Sequence, residues 1–330
     1  MKIRRTIIML LLVAMSGAGY ASGFEFRLAH VAPIGSTHDI AAREFAGRVQ
    51  HNSGGRIAVK IFANSSLGTL PELWGQLKNG AIDLFVQDVG AAFMVEPPPK
   101  RLTILHAPYL FESQEHFRRF CRSGLFREMM ARAEKAGNLR YLGYLGDRAP
   151  RGFSTTKRRV SSPGEMTGLK LRVPPVTPFV EAYRAWGASP TPVFAKDIYT
   201  SVKTGMVEGI DQDLVSFNQA GYYEFQKYYT AIDYMRSGLG LWINADSWRL
   251  LPQALQAVLI TSAQQTAVHI NSITKRQINE AEAAIRQQGV ELIRPEPGKW
   301  RKLALPVILR QEERLGEKGL YRKIEAIGLQ

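Results

Sequence analysis

The chain has 330 residues, of which 45% are apolar, 22% charged and 10% aromatic, so it can bury a substantial core and is not compositionally disordered. At roughly 100–200 residues per domain, the length favours two domains. Forty-three Lys and Arg against 29 Asp and Glu give a net charge of +14, and the lone cysteine, Cys121, excludes internal disulfides, Cys-ligated zinc sites and Cys-ligated iron-sulfur clusters.

The first residues point to a compartment. Met1-Lys2-Ile3-Arg4-Arg5 is a positive run, and Thr6 to Met15 is apolar but shorter than the roughly 20 residues a bilayer span needs. Gly19-Tyr20-Ala21 then offers small residues in the pattern of a cleavage point. Residues 1–21 therefore read as a cleavable secretory signal ending at Ala21. The alternative is a membrane anchor, and the turn to Ser16-Gly17-Ala18-Gly19 stands against it. Losing Lys2, Arg4 and Arg5 brings the mature chain to about +11, and the expected location is the periplasm. Nucleic acid is not an expected partner there. Lys157-Arg158-Arg159 and Arg118-Arg119 lack the interleaved aromatics that stack bases and read as solvated surface.

In chain order, Phe24 to Val31 is strand-like, and a helix is predicted from Ser36 or Thr37 through Val49, with Ile40, Ala41, Phe45 and Val49 on one face and Gly54-Gly55 as its stop. Ile57 to Phe62 alternates as a strand. Pro71 to Leu77 is helical with Gly80 just beyond, and Ala81 to Val86 is a strand. Strands alternating with helices at this spacing predict a parallel-sheet α/β unit, in which ligands bind beyond the carboxyl ends of the strands.

A stiff connection, Glu96 to Lys100, precedes helices over Gln114 to Arg122 and Gly124 to Ala136 and an extended run from Leu139 to Leu145. A second α/β unit follows. Arg151 to Thr156 and Leu169 to Val173 read as strands, Phe179 to Trp186 and Ala195 to Thr204 as helices, and Val207 to Asp213 as a turn into a short strand. Thr230 to Asn244 is extended and long enough to be shared between the units. Pro252 to Gln288 is helical over about 37 residues, or roughly 55 Å, more than one domain is wide. It is expected to span both lobes.

Enzyme templates find no match. HExxH, GxSxG, the Walker loop and GxGxxG are all missing, and the six histidines show no metal-ligand spacing. No cofactor, metal or catalysis is expected. His30 and His38 share the first strand-helix region, where surface or hydrogen-bonded roles fit them better than ligation, and His30 stands among the candidate ligand contacts. Trp186, Phe179 and Tyr183 lie at helical spacing and read as core. Trp242, in the extended segment after Gly238-Leu239-Gly240-Leu241, is a candidate pocket wall.

Gly168-Leu169-Lys170-Leu171-Arg172-Val173-Pro174 puts Arg172 in the middle of an apolar strand, its neighbours pointing the other way. A buried guanidinium there must be paired, because leaving it unpaired is prohibitive. An internal carboxylate or a ligand carboxylate gripped bidentately would serve. On pattern alone the internal partner is the stronger reading.

That segment resembles the central signature of solute-binding proteins of tripartite ATP-independent periplasmic (TRAP) transporters, DctP type. Leu28-Ala29-His30-Val31, Gly54-Gly55-Arg56-Ile57, Leu67-Gly68 and Leu77 to Asp83 precede it in the family's order. Arg151 with Thr155-Thr156 lies on its N-terminal side, and Gly187-Ala188-Ser189-Pro190-Thr191-Pro192, Ile198-Tyr199 and Glu208-Gly209 follow. The resemblance implies two α/β lobes joined by hinge strands and a long helix spanning both, closing over one small carboxylate ligand. It implies delivery to small and large TRAP membrane subunits, with no chemistry on the ligand. An exported sensor presenting an organic anion to a membrane receptor would have the same lobes and stays open as an alternative.

The resemblance also implies site residues. Arg172 matches the carboxylate-clamping arginine and Arg151 a second family arginine that reaches the ligand in some members. Gln212 stands where many members have Asn, an amide longer by one methylene. Asp88, at the end of the third strand, matches an acidic position that contacts polar ligand groups in some members. Ala195 replaces a common aromatic while Phe194 sits one residue earlier. The implied lobes are residues 22–148 with about 238–278, and residues 149–237 with about 279–330.

Overall fold

A computed structural model describes residues 23–96 and 98–328; the expected signal segment lies outside the described residues. In the first half, Phe24–Ala29 (β1), Ile57–Phe62 (β2) and Leu84–Asp88 (β3) alternate with Thr37–Asn52 (α1) and Leu70–Lys78 (α2). The Ser36 hydroxyl accepts from the amide of Asp39 at the start of α1, and Thr69 with Glu72 forms a capping box on α2, satisfying amides that have no partner inside a helix. Gln114–Arg122 (α3) and Gly124–Gly137 (α4) lead into Leu139–Asp147 (β4). The predicted strand at Ala81 starts only at Leu84. The Gln76 carbonyl takes the amides of Ala81 and Ile82 (2.8 and 3.4 Å), so the chain is still closing α2 there.

The second half contributes Arg151–Thr155 (β5), Lys170–Val173 (β6), Thr177–Ala185 (α5), Ser189–Pro192 (β7), Ile198–Lys203 (α6), Gly209–Asp213 (β8) and Leu214–Gln219 (α7). The segment predicted as one extended run is two strands, Tyr228–Met235 (β9) and Gly238–Asn244 (β10), in different sheets. After Ala245–Arg249 (α8) comes Gln253–Gln287 (α9), the long helix, and then Glu291–Ile293 (β11), Gly298–Leu315 (α10) and Leu320–Gly328 (α11). The first sheet runs β2-β1-β3-β10-β4 and the second β11-β9-β5-β8-β6-β7. Strand β10 enters the first sheet antiparallel, between β3 and β4. Two-lobed α/β architecture is thus what the alternating pattern builds.

Three connections pass between the sheets: β4 to β5, β9 to β10, and α9. The first two touch where the Arg148 amide donates to the Ser237 carbonyl (3.2 Å). Helix α9 seats Leu255, Leu259, Ala263, Ile270 and Ile273 in the first-lobe core and Ala281 and Ile285 in the second. The tail differs from the implied lobe division. Trp300 and Ala304 of α10 join the second-lobe core, but Ile308, Leu320 and Ile324 pack into the first, because α11 returns to α3, where His116 Nε2 meets the Ile324 carbonyl at 2.9 Å. The predicted Trp186, Phe179 and Tyr183 stripe is core, all three buried.

Candidate functional site

A cavity of about 140 Å³ lies between the lobes, beyond the carboxyl ends of β1, β3, β6 and β8, where an α/β sheet leaves loops and strand ends free to bind. Two left-handed residues, Asn64 and Ser65, turn the chain after β2 so that both line this cleft. Opposite them the cleft is walled by Pro174, Val176, Phe179 and Phe194. The lobes approach closely at its mouth: a Cβ added to Gly35 would stand 2.8 Å from Gln219 Oε1 on α7.

Arg172 emerges from β6 because Leu171 and Val173 face the core. Its Nε donates to the Val193 carbonyl (2.8 Å) and its Nη1 to the Asp211 carbonyl (3.1 Å), while Nη2 has no protein partner among the described residues. It is 3% exposed. Burial pushes its pKa down to about 10, a shift Asp211 opposes and Arg151 adds to. Among the described residues, Arg172 therefore hydrogen-bonds only carbonyls and no protein carboxylate.

Arg151 is different. Its Nε donates to Asp211 Oδ1 (2.8 Å), its Nη2 to the same oxygen, and its guanidinium lies over the Phe179 ring, 5.2 Å from the centroid. Burial works against its charge, but Asp211 holds its pKa above the ordinary arginine value. The other oxygen of Asp211 accepts from the Tyr183 hydroxyl (2.9 Å) and from Tyr234. Arg151 lines the cleft with its carboxylate partner already in place.

A third arginine, Arg148, also lines the cleft. Its Nη1 reaches Asp88 Oδ2 of the first lobe (3.3 Å) and its Nη2 reaches Asp213 Oδ2 of the second (3.0 Å). Both aspartates end a strand and cap the turn that follows: Asp88 Oδ1 accepts from the Gly90 amide (2.9 Å) and Asp213 Oδ1 from the Ser216 amide (2.9 Å). Each follows a glutamine whose side-chain oxygen accepts the aspartate's amide, Gln87 at 2.8 Å and Gln212 at 3.2 Å. Gln212 lines the cleft, as does Asp88.

Of the sequence-derived candidates, Arg172, Arg151, Gln212, Asp88 and Phe194 come together here. Two do not. Trp242 is fully buried in the first-lobe core, edge-on to Trp74 at 5.0 Å and beside Tyr141 at 5.4 Å. Its neighbours Leu239, Leu241 and Ile243 take the other face of β10, and alternation turns Trp242 away from the cleft. His30 is likewise enclosed, 3.4 Å from Asp39 Oδ1, behind His38. It is His38 that lines the cleft, its Nε2 3.2 Å from Gln87 Oε1. Burial first, then Arg148 and His30, hold the His38 pKa well below the ordinary histidine value. Arg148 and His38 line the cleft but were not among the sequence-derived ligand contacts. The repeated Gln-Asp dipeptide at two strand ends was the available signal for a shared cation.

Residues 28–314 match the family described as bacterial extracellular solute-binding protein, family 7. A solute-binding protein of Roseobacter denitrificans is 26% identical over 294 residues, 89% of each chain. The fold superposes on a TRAP periplasmic solute-binding protein of Chromohalobacter salexigens with bound D-glucuronate (TM-score 0.84, 22% identity, 92% of this chain and 99% of that one). It also superposes on one from Bordetella with density assigned to pantoate (TM-score 0.84, 22% identity, 91% and 98%). With its two-lobed fold and its interlobe cleft, the chain belongs to the DctP-type family of bacterial extracellular solute-binding proteins.

Proposed function

We propose that this chain works in the periplasm, after removal of residues 1–21, as the binding component of a TRAP transporter. It captures a small organic acid through Arg172, without changing it chemically, and delivers it to the small and large membrane subunits. The observation that carries this reading is Arg172: a guanidinium 3% exposed, lining the cleft and hydrogen-bonded only to two carbonyls. A carboxylate is the group whose geometry completes that fork. Gln212 and Asp88 stand in reach of neutral polar groups, and Phe179 and Phe194 offer apolar walls. The relatives' ligands, D-glucuronate and pantoate, are hydroxylated acids and support the same class. Arg151, already bound to Asp211, supports the floor and enters the ligand's shell second.

The lobes are proposed to follow residues 22–148 with about 238–278, and 149–237 with about 279–297, α10 and α11 bracing both. They rotate about the crossovers at Arg148 to Pro150 and Arg236 to Ser237. Calorimetric titration with sugar acids and pantoate, against their amides, tests the reading. Saturable binding of at least one acid and loss of binding with its amide is the expected result; equal binding of acid and amide would overturn it.

A further inference from the structure

Three guanidiniums and three carboxylates meet at the floor of the cleft, and they are not paired one to one. Arg151 holds Asp211. Arg148 holds two carboxylates, Asp88 from the first lobe and Asp213 from the second. Arg172 holds none. All six are buried, the most exposed being Arg148 at 8%, so solvent screens these charges little. Arg148 is therefore surrounded by one negative charge too many, and Arg172 by one too few.

The remaining titratable groups of the lining do not alter that balance. Lys196 is exposed at the rim, near Glu72 on the opposite lobe. Burial holds His38 and His106 below the ordinary histidine value, and Arg148 and Arg151 push both the same way, while Asp88, 3.8 Å from His106 Nε2, opposes the shift at His106. The Nδ1 of each ring is buried without a protein partner among the described residues. Such rings, with Asp88 and Gln212, suit hydroxyl groups.

We propose that this cleft selects ligands bearing one carboxylate over ligands bearing two, and that Asp88 and Asp213 set the limit by occupying Arg148. The inference rests on the carboxylate-binding role of Arg172 proposed above and adds the charge the ligand is allowed. A second carboxylate would have to lie beside Asp88 or displace it from Arg148. The first is like-charge repulsion in a buried site, and the second leaves Asp88 unpaired. This is selection by repulsion, with the attractive contact supplied elsewhere. Ligand hydroxyls meet no such barrier, because the free lone pairs of Asp88 accept from them.

Titration of the wild type with matched pairs, D-gluconate against D-glucarate and pantoate against 3,3-dimethylmalate, compares one carboxylate with two on the same carbon skeleton. The monocarboxylate of a pair should bind at least 100-fold tighter. Asp213→Asn keeps the cap on α7, since Asn caps as well as Asp, and removes one carboxylate from Arg148 without touching the lining. It should narrow the gap at least tenfold, chiefly by strengthening the dicarboxylate. Asp88→Asn should do the same and serves if Asp213→Asn melts early. A wild type that binds the dicarboxylate as tightly, or a gap unchanged in both folded variants, overturns the inference while leaving Arg172 as a carboxylate site. Binding of no acid at all overturns that site, and this inference with it.

Discussion

Arg148 Nη2 stands 3.0 Å from Asp213 Oδ2 across the seam between the lobes, while Nη1 of the same side chain reaches Asp88 on the other side. One residue of the β4–β5 connection thus ties the end of β3 to the end of β8. Both ends of its guanidinium fork are occupied only when both strand ends are near.

Removing that tie should leave two buried carboxylates facing each other. Breaking a buried ion pair from one side costs about 3–5 kcal/mol, so Arg148→Met should lower the unfolding free energy of the ligand-free protein by that order in urea titrations. Its ligand-free radius of gyration by small-angle scattering should rise as the lobes part. A variant as stable and as compact as the wild type would show that the contact holds nothing together.

Arg172 should behave oppositely, affecting binding more than stability. Charge-assisted hydrogen bonds are worth about 1.5–3 kcal/mol each, and about 1.4 kcal/mol is tenfold in Kd. Arg172→Lys, which keeps charge but loses the fork, should weaken binding roughly ten- to a hundredfold in calorimetric titration, and Arg172→Met more. No carboxylate side chain bonds Arg172, so the ligand-free melting temperature should hardly fall. An early-melting Arg172→Met with unchanged affinity would sink the clamp.

Trp242 supplies the contrast. Truncating a fully buried tryptophan costs about 3–5 kcal/mol, so Trp242→Phe, a smaller loss of volume, should destabilise the first lobe measurably. Affinity per folded molecule should be unchanged within a factor of about two, because the side chain packs against Trp74 and Tyr141 rather than lining the cleft.

Acid should weaken the fold through the cleft histidines. His38 and His106 have folded-state pKa values lowered, chiefly by burial, so the unfolded chain binds their protons first as pH falls. Stability from this source is complete above about pH 6.5, the unfolded value, and is lost as pH drops toward the lower folded values. The loss approaches about 1.4 kcal/mol per pH unit for each group. Melting between pH 8 and 5 should show the decline, and His38→Gln should flatten it. An undiminished slope in that variant would remove His38 from the account.

How much of this was readable beforehand differs residue by residue. Arg172 betrayed itself because a charge between Leu171 and Val173 has no innocent place in a strand. The 35-residue helix α9 was evident from the absence of Gly and Pro. Trp242 misled because both faces of β10 are buried: alternation separates Trp242 from Leu241, but only the packing layers show which face meets the cleft. Arg148 was hidden for the opposite reason. Asp147-Arg148-Ala149-Pro150 reads locally as a polar surface link, and its partners lie 60 and 65 residues away. His30 and His38 share a sequence neighbourhood, yet one ring lies behind the other, a matter of depth that spacing does not encode.

Helix α9 couples the two lobes mechanically. Its seats end in the first lobe at Ile273 and resume in the second at Ile278, so about one turn, Thr274 to Gln277, bridges the two lobes. A helix resists sharp bending without Pro, Gly or a bulge, and none interrupts this one. Rotation of the lobes must therefore change how the rod sits in at least one core, and with it the tilt of exposed residues such as Val268, 72% exposed, on the molecule's outside. Under the proposed transporter role, the state of the cleft would be carried to a surface away from the ligand and offered to the proposed membrane subunits as an angle rather than as a chemical group.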